Sequence, residues 1–116
     1  NEGSKSAPDR RSRKRVSADK LPVEMQEFNL DFGDGHIYKG TTIDVSLTSI
    51  SFLVEVPANR IREFIVTLSS KNDEIKMTQE LVYIKPVDTQ HSRISFMYSS
   101  DSTPPLYRRL VSKALR

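Results

Sequence analysis

The feature that most constrains this chain is a series of short segments, from Phe28 to Tyr98, in which apolar residues take every second place. That period is the mark of a strand with one buried face, because successive side chains leave a strand on opposite sides. Phe28, Leu30 and Phe32 form one such set, and Ile43, Val45 and Leu47 a second. Ile50, Phe52, Val54 and Val56 follow, then Phe64, Val66 and Leu68, then Ile75 and Met77 with Leu81 to Ile84, and finally Ile94, Phe96 and Tyr98. Gly33-Asp34-Gly35, Pro57, the polar run from Ser69 to Asp73 and Pro86 punctuate them, and an Asp-Gly pair between alternating runs is a hairpin signal. The expected fold is all-β, a small six- to seven-stranded antiparallel barrel.

Two phase changes qualify this pattern. Val23 and Met25 read as strand in the opposite phase to Phe28, which predicts a bulge or bend near Gln26 to Phe28. Leu47 and Ile50 are likewise out of phase, so a turn or bulge belongs between them. If Ile43, Val45 and Leu47 face the core, Asp44 and Ser46 share the outer surface. The period changes again at the end of the chain. Ser102 or Thr103 is placed to cap a helix that Pro104 and Pro105 introduce, and Leu106, Leu110, Val111, Ala114 and Leu115 form its apolar stripe.

The chain has 116 residues, enough for one domain with a core of its own. It contains no cysteine, which removes disulfides, thiolate metal sites and a cysteine nucleophile. No stretch approaches the ~20 apolar residues of a membrane span, and the first residues lack the apolar run of a secretory signal. The formal charge of +3 conceals a division along the chain. Residues 1–20 hold seven basic and three acidic groups, residues 21–102 seven and twelve, and residues 103–116 four and none. Cationic ends flank an acidic middle, so an anionic partner is expected at the ends.

Catalytic patterns are missing from this sequence. His36 and His91 are far apart and have neither cysteine nor a spaced carboxylate beside them, so no metal is expected. There is no Gly-x-Ser-x-Gly elbow and no Gly-rich phosphate loop. A non-enzyme that needs no cofactor is the expectation.

Two clusters remain. Arg11-Ser12-Arg13-Lys14-Arg15 sets two arginines four apart, on one side of an extended segment. Their guanidinium forks can grip phosphate or read the O6/N7 edge of guanine; a solvated basic linker would have the same composition. In Asp44-Val45-Ser46-Leu47-Thr48-Ser49, a carboxylate can accept from the N–H groups of a base and a hydroxyl can contact a ligand, or both can bond local backbone.

The ordered pair resembles the PilZ domain, a bacterial cyclic di-GMP-binding module with the signature Arg-x-x-x-Arg followed by Asp/Asn-x-Ser-x-x-Gly. Arg10, Val16, Gly40 and Ile50-Ser51-Phe52 are similar to the family as well. Residues 1–8, polar and without periodicity, are expected to be a disordered lead-in, and the resemblance implies a domain over 9–116. Within it, a motif-bearing segment over 9–20, a β-barrel over 21–100 and a helix over 103–116 are expected. It further implies a cytoplasmic receptor for cyclic di-GMP whose basic segment wraps onto the barrel and signals to a protein partner or fused domain. Arg11 and Arg15 would hold guanine edges and phosphates, with Arg10 beside them to stack or pair. Asp44 would bind guanine N–H groups, and Ser46 would touch the ligand or support its loop. Ser49 stands where the motif has glycine, which permits positive φ and close backbone approach; serine there can reshape the turn or crowd the ligand, yet it is small, and a binding-competent site that includes Ser49 is the expectation. Two alternatives stay open: a degenerate PilZ-like interaction domain without ligand, and a barrel binding nucleic acid non-specifically. The second is disfavoured because the basic runs contain no aromatic for base stacking except Tyr107.

Overall fold

Seven strands and one α-helix make up the computed structural model of the protein, which describes residues 14–116. The lead-in expected over 1–8, and Arg10 and Arg11, lie outside the described residues. The strands are β1 (Val16–Ser17), β2 (Glu27–Asp31), β3 (Ile37–Val45), β4 (Ser49–Val54), β5 (Ile65–Ser70), β6 (Lys76–Pro86) and β7 (Ser92–Met97), and the helix α1 is Pro105–Ala114. All pairings are antiparallel, in the order β1-β3-β2-β5-β6-β7-β4, and β4 pairs back with β3. Six strands therefore close a barrel, with β1 added beside the end of β3. Closure pairs both edges of the six barrel strands, the edges on which strands of other chains could otherwise add.

The inward set is the one the alternation selects. Phe28, Leu30, Val54, Val66, Leu68 and Ile94 are buried, and Phe52 lies edge-on between Phe28 and Phe96 at centroid distances of 5.5 and 6.0 Å. Gly40 sits in this layer for want of room. A Cβ there would fall 2.8 Å from Leu30 Cδ1 and 3.2 Å from ring carbons of Phe52, both wholly buried. Gly40→Ala is expected to destabilise the fold by about 1–3 kcal/mol as overpacking; a denaturant midpoint that falls at unchanged m-value checks it.

Several expectations need correction. Val23–Met25 is a 3₁₀ turn and not a strand, so Met25 is buried while Val23 is 75% exposed. Phe64 precedes β5 and is half-exposed, and Leu47 lies outside the core at the β3–β4 turn. The helix is capped differently as well. Ser99 and Ser102 form a reciprocal capping box on the 3₁₀ turn Ser100–Ser102, and α1 begins after Pro104 without a side-chain cap. Its deepest residue is Tyr107, 1% exposed, with Val111 beside it, while Leu106, Leu110, Ala114 and Leu115 are partly buried. The buried stripe is thus rotated by one residue, because the phenol finds a hydroxyl partner inside.

Among the described residues, no helix is long and apolar enough to cross a membrane.

Candidate functional site

Two β-bulges set up the site. Along β3, Gly40 and Thr42 point inward, and a register shift between Thr42 and Asp44 leaves Ile43 as the extra residue. Val45 is then the next inward side chain and Asp44 turns out; without the bulge the carboxylate would keep the phase of Thr42 and enter the core. In β6 the shift lies between Leu81 and Tyr83, so Val82 is the extra residue and Tyr83 turns outward beside it. Between these bulges runs a row of paired positions: Asp44 opposite Ser51, Ser51 opposite Ser95, Ser95 opposite Tyr83. The serine hydroxyls bond each other at 2.8 Å. Small residues at the middle of the row and large ones at its ends leave a hollow on the outside of the barrel.

That hollow is an open groove of about 740 Å³, lined by Arg15, Ser49, Ser51, Tyr83, Arg93 and Met97 among others. Its volume lies within the range of about 300–1,000 Å³ that small-molecule sites occupy. Asp44 holds two cations at its rim. Arg15 Nη1 donates to Oδ1 at 3.0 Å, and Arg93 Nη2 stands 3.5 Å from Oδ2. The carboxylate side chain is 18% exposed, the arginines 49% and 40%. Each guanidinium has five N–H donors and the carboxylate about four lone-pair directions, so both keep hydrogen-bonding capacity for a ligand.

The turn after β3 is closed by its own hydroxyls. Ser46 Oγ accepts from the amides of Thr48 and Ser49 at 3.2 and 3.1 Å and bonds Ser49 Oγ at 3.0 Å. Behind it the Tyr98 hydroxyl reaches the carbonyl oxygens of Ser46 (2.7 Å) and Ser49 (3.1 Å), and also Tyr107 Oη at 2.6 Å. One phenolic proton serves the carbonyls, so Tyr107 donates to Tyr98. Burial pushes both phenols above the ordinary tyrosine range. In the unfolded chain they ionise near ~10, so their neutral packing stabilises the fold below that pH and the benefit is lost as pH rises beyond it. An absorbance titration at alkaline pH is expected to find two of the four tyrosines ionising late, together with unfolding.

Among the described residues, no group of three or more His, Asp or Glu is gathered as a metal ion requires. No protein-family model matches the sequence, and no curated protein does. Solved structures do. The PlzA protein of Borreliella burgdorferi, in complex with cyclic di-GMP, superposes with a TM-score of 0.66 at 18% identity over 98% of this chain. The PilZ domain of YcgR from Escherichia coli, with cyclic di-GMP, gives 0.57 at 17% identity over 91%. The fold is that of a PilZ domain. The chain spans 44% of the PlzA chain and 88% of the YcgR domain.

In this barrel, Arg15 and Asp44 meet as an ion pair, whereas Arg10 and Arg11 lie outside the described residues. Ser46 does not share the outer face with Asp44. It is 1% exposed because its hydroxyl turns back to the amides of its own turn. Ser49 is not a left-handed residue: it begins β4, pairs with Met97 and lines the groove. Asp73 is the one non-glycine residue with positive φ among those described, so the backbone at Ser49 is not left-handed. Arg93, Ser51, Ser95 and Tyr83 were missed from the sequence. The signal for Ser51, Arg93 and Ser95 was present in the outward phase of β4 and β7, where serine and arginine alternate with Ile50, Phe52, Ile94 and Phe96.

Proposed function

We propose that this chain is a cyclic di-GMP receptor domain that acts by binding rather than by catalysis. The observation that carries this reading is the Arg15–Asp44–Arg93 cluster at the rim of the serine-floored groove. A carboxylate accepts from the N–H edge of guanine, and arginine forks suit phosphate and the O6/N7 edge. The ligand carries two guanines and two phosphates. Arg10 and Arg11, just upstream of Arg15, complete the grip in this reading, and Ser46 supports the turn from beneath while Ser49 borders the groove. The two solved neighbours, both complexes with cyclic di-GMP, support the same ligand. Ordering of the basic segment on binding changes the surface offered to a protein partner or fused domain in the bacterial cytoplasm.

Titration calorimetry with cyclic di-GMP, with cyclic di-AMP as comparison, tests the reading. Saturable binding that favours the guanine dinucleotide is expected. Silence at high micromolar ligand would overturn it, and heat equal for both dinucleotides that collapses with added salt would favour non-specific binding to nucleic acid.

A further inference from the structure

Both ends of helix α1 are tied to residues that adjoin the candidate site, although the helix does not line the groove. The Tyr107 hydroxyl, in its first turn, bonds Tyr98, whose hydroxyl spans the carbonyls of Ser46 and Ser49. At its other end, Lys14 Nζ donates to the carbonyl oxygen of Leu115 at 3.2 Å, while the adjacent Arg15 pairs with Asp44. Tyr98 is thus the post on which the 46–49 turn rests, and Tyr107 holds that post in place. The two rings meet edge to face at 5.4 Å, and 1% exposure of Tyr107 keeps water from substituting for its hydroxyl.

We infer that Tyr98 and Tyr107 are positioning residues for the ligand site, and that they couple ligand binding in the groove to the seating of α1. This rests on the receptor reading for its ligand, and its geometry stands apart from it. A tyrosine that fixes two carbonyls of one turn holds Ser49, a groove residue, in register with Met97. Linkage makes the coupling reciprocal: a ligand that needs the turn in this shape tightens α1, and loosening α1 weakens the ligand. The released element is an amphipathic helix with Arg108, Arg109 and Lys113 exposed, a surface whose presentation changes with occupancy.

The test uses Tyr98→Phe and Tyr107→Phe, which remove only the hydroxyls, and Leu68→Val as a core destabiliser remote from both groove and helix. Each single tyrosine variant is expected to weaken cyclic di-GMP at least ~5-fold, the lower end of ordinary couplings. The double variant is expected to fall short of the product of the two. Leu68→Val is expected to bind as the parent does. In the parent, ligand slows amide hydrogen exchange over 105–114, and Tyr107→Phe abolishes that protection. Parent-like affinity in both folded tyrosine variants would overturn the inference. So would an equal loss in Leu68→Val. If the parent binds no ligand, the receptor reading fails by itself, and the coupling is read without ligand. The Thr48 and Ser49 amides then exchange faster in Tyr107→Phe if the inference holds, and unchanged exchange refutes it.

Discussion

Asp44→Ala is expected to weaken cyclic di-GMP binding by at least ~100-fold in titration calorimetry, the largest functional effect of any single substitution in the described groove. Hydrogen bonds to a charged group contribute about 1.5–3 kcal/mol each, and a guanine N–H edge offers two to one carboxylate. The same substitution leaves Arg15 and Arg93 without their shared anion, so two like charges face each other at the rim. The fold itself should suffer little, because partly exposed ion pairs contribute at most about 1 kcal/mol. Asp44→Asn separates the causes: the amide keeps the shape but replaces an acceptor by a donor, and it should fail nearly as badly as alanine. Arg15→Lys, which keeps charge and loses the fork, should fall between. Parent-like affinity in Asp44→Ala and Arg15→Ala would remove these residues from the site while leaving the receptor reading to the parent titration.

The largest stability effect is expected at Phe52. Its ring is wholly buried on the β4 face of the barrel and makes edge contacts with Phe28 and Phe96, strands apart in sequence. Phe52→Ala should cost about 3–5 kcal/mol through lost transfer energy and the cavity left behind. Native domains hold only about 5–15 kcal/mol in total, so the variant is expected to be partly unfolded at ambient temperature. Chemical denaturation compared with the milder Phe52→Leu gives the measurement; a loss under about 1 kcal/mol in the alanine variant would mean that the aromatic layer is not the centre of the core.

The barrel was legible because burial imposes period two on strands, and Ile50, Phe52, Val54, Ile94 and Phe96 obey it without interruption. Legibility failed where the backbone departs from that period. Leu47 belongs by alternation with Val45, yet the turn carries it outside, and Ser46 leaves the surface because two local amides claim its hydroxyl. Tyr107 falls outside the helix's apolar stripe in the sequence, as an aromatic in a basic run, since nothing local reveals that Tyr98 waits nine residues before it. Arg93 was invisible as a site residue because its meaning comes from Asp44, far away along the chain.

The sequence by itself determined most of the strand set with its inward faces and the terminal helix, while Arg15 and Asp44 were brought together there only by the resemblance to the PilZ signature. The strands and the helix are set by local periodicity, which physics reads along the chain. Tertiary structure alone decided the groove: which strands neighbour one another, where single extra residues at Ile43 and Val82 turn Asp44 and Tyr83 outward, and how serines from β4 and β7 meet between them. A bulge costs one residue and reverses the face of everything beyond it, so its position follows from how the closed barrel fits together and not from any one strand.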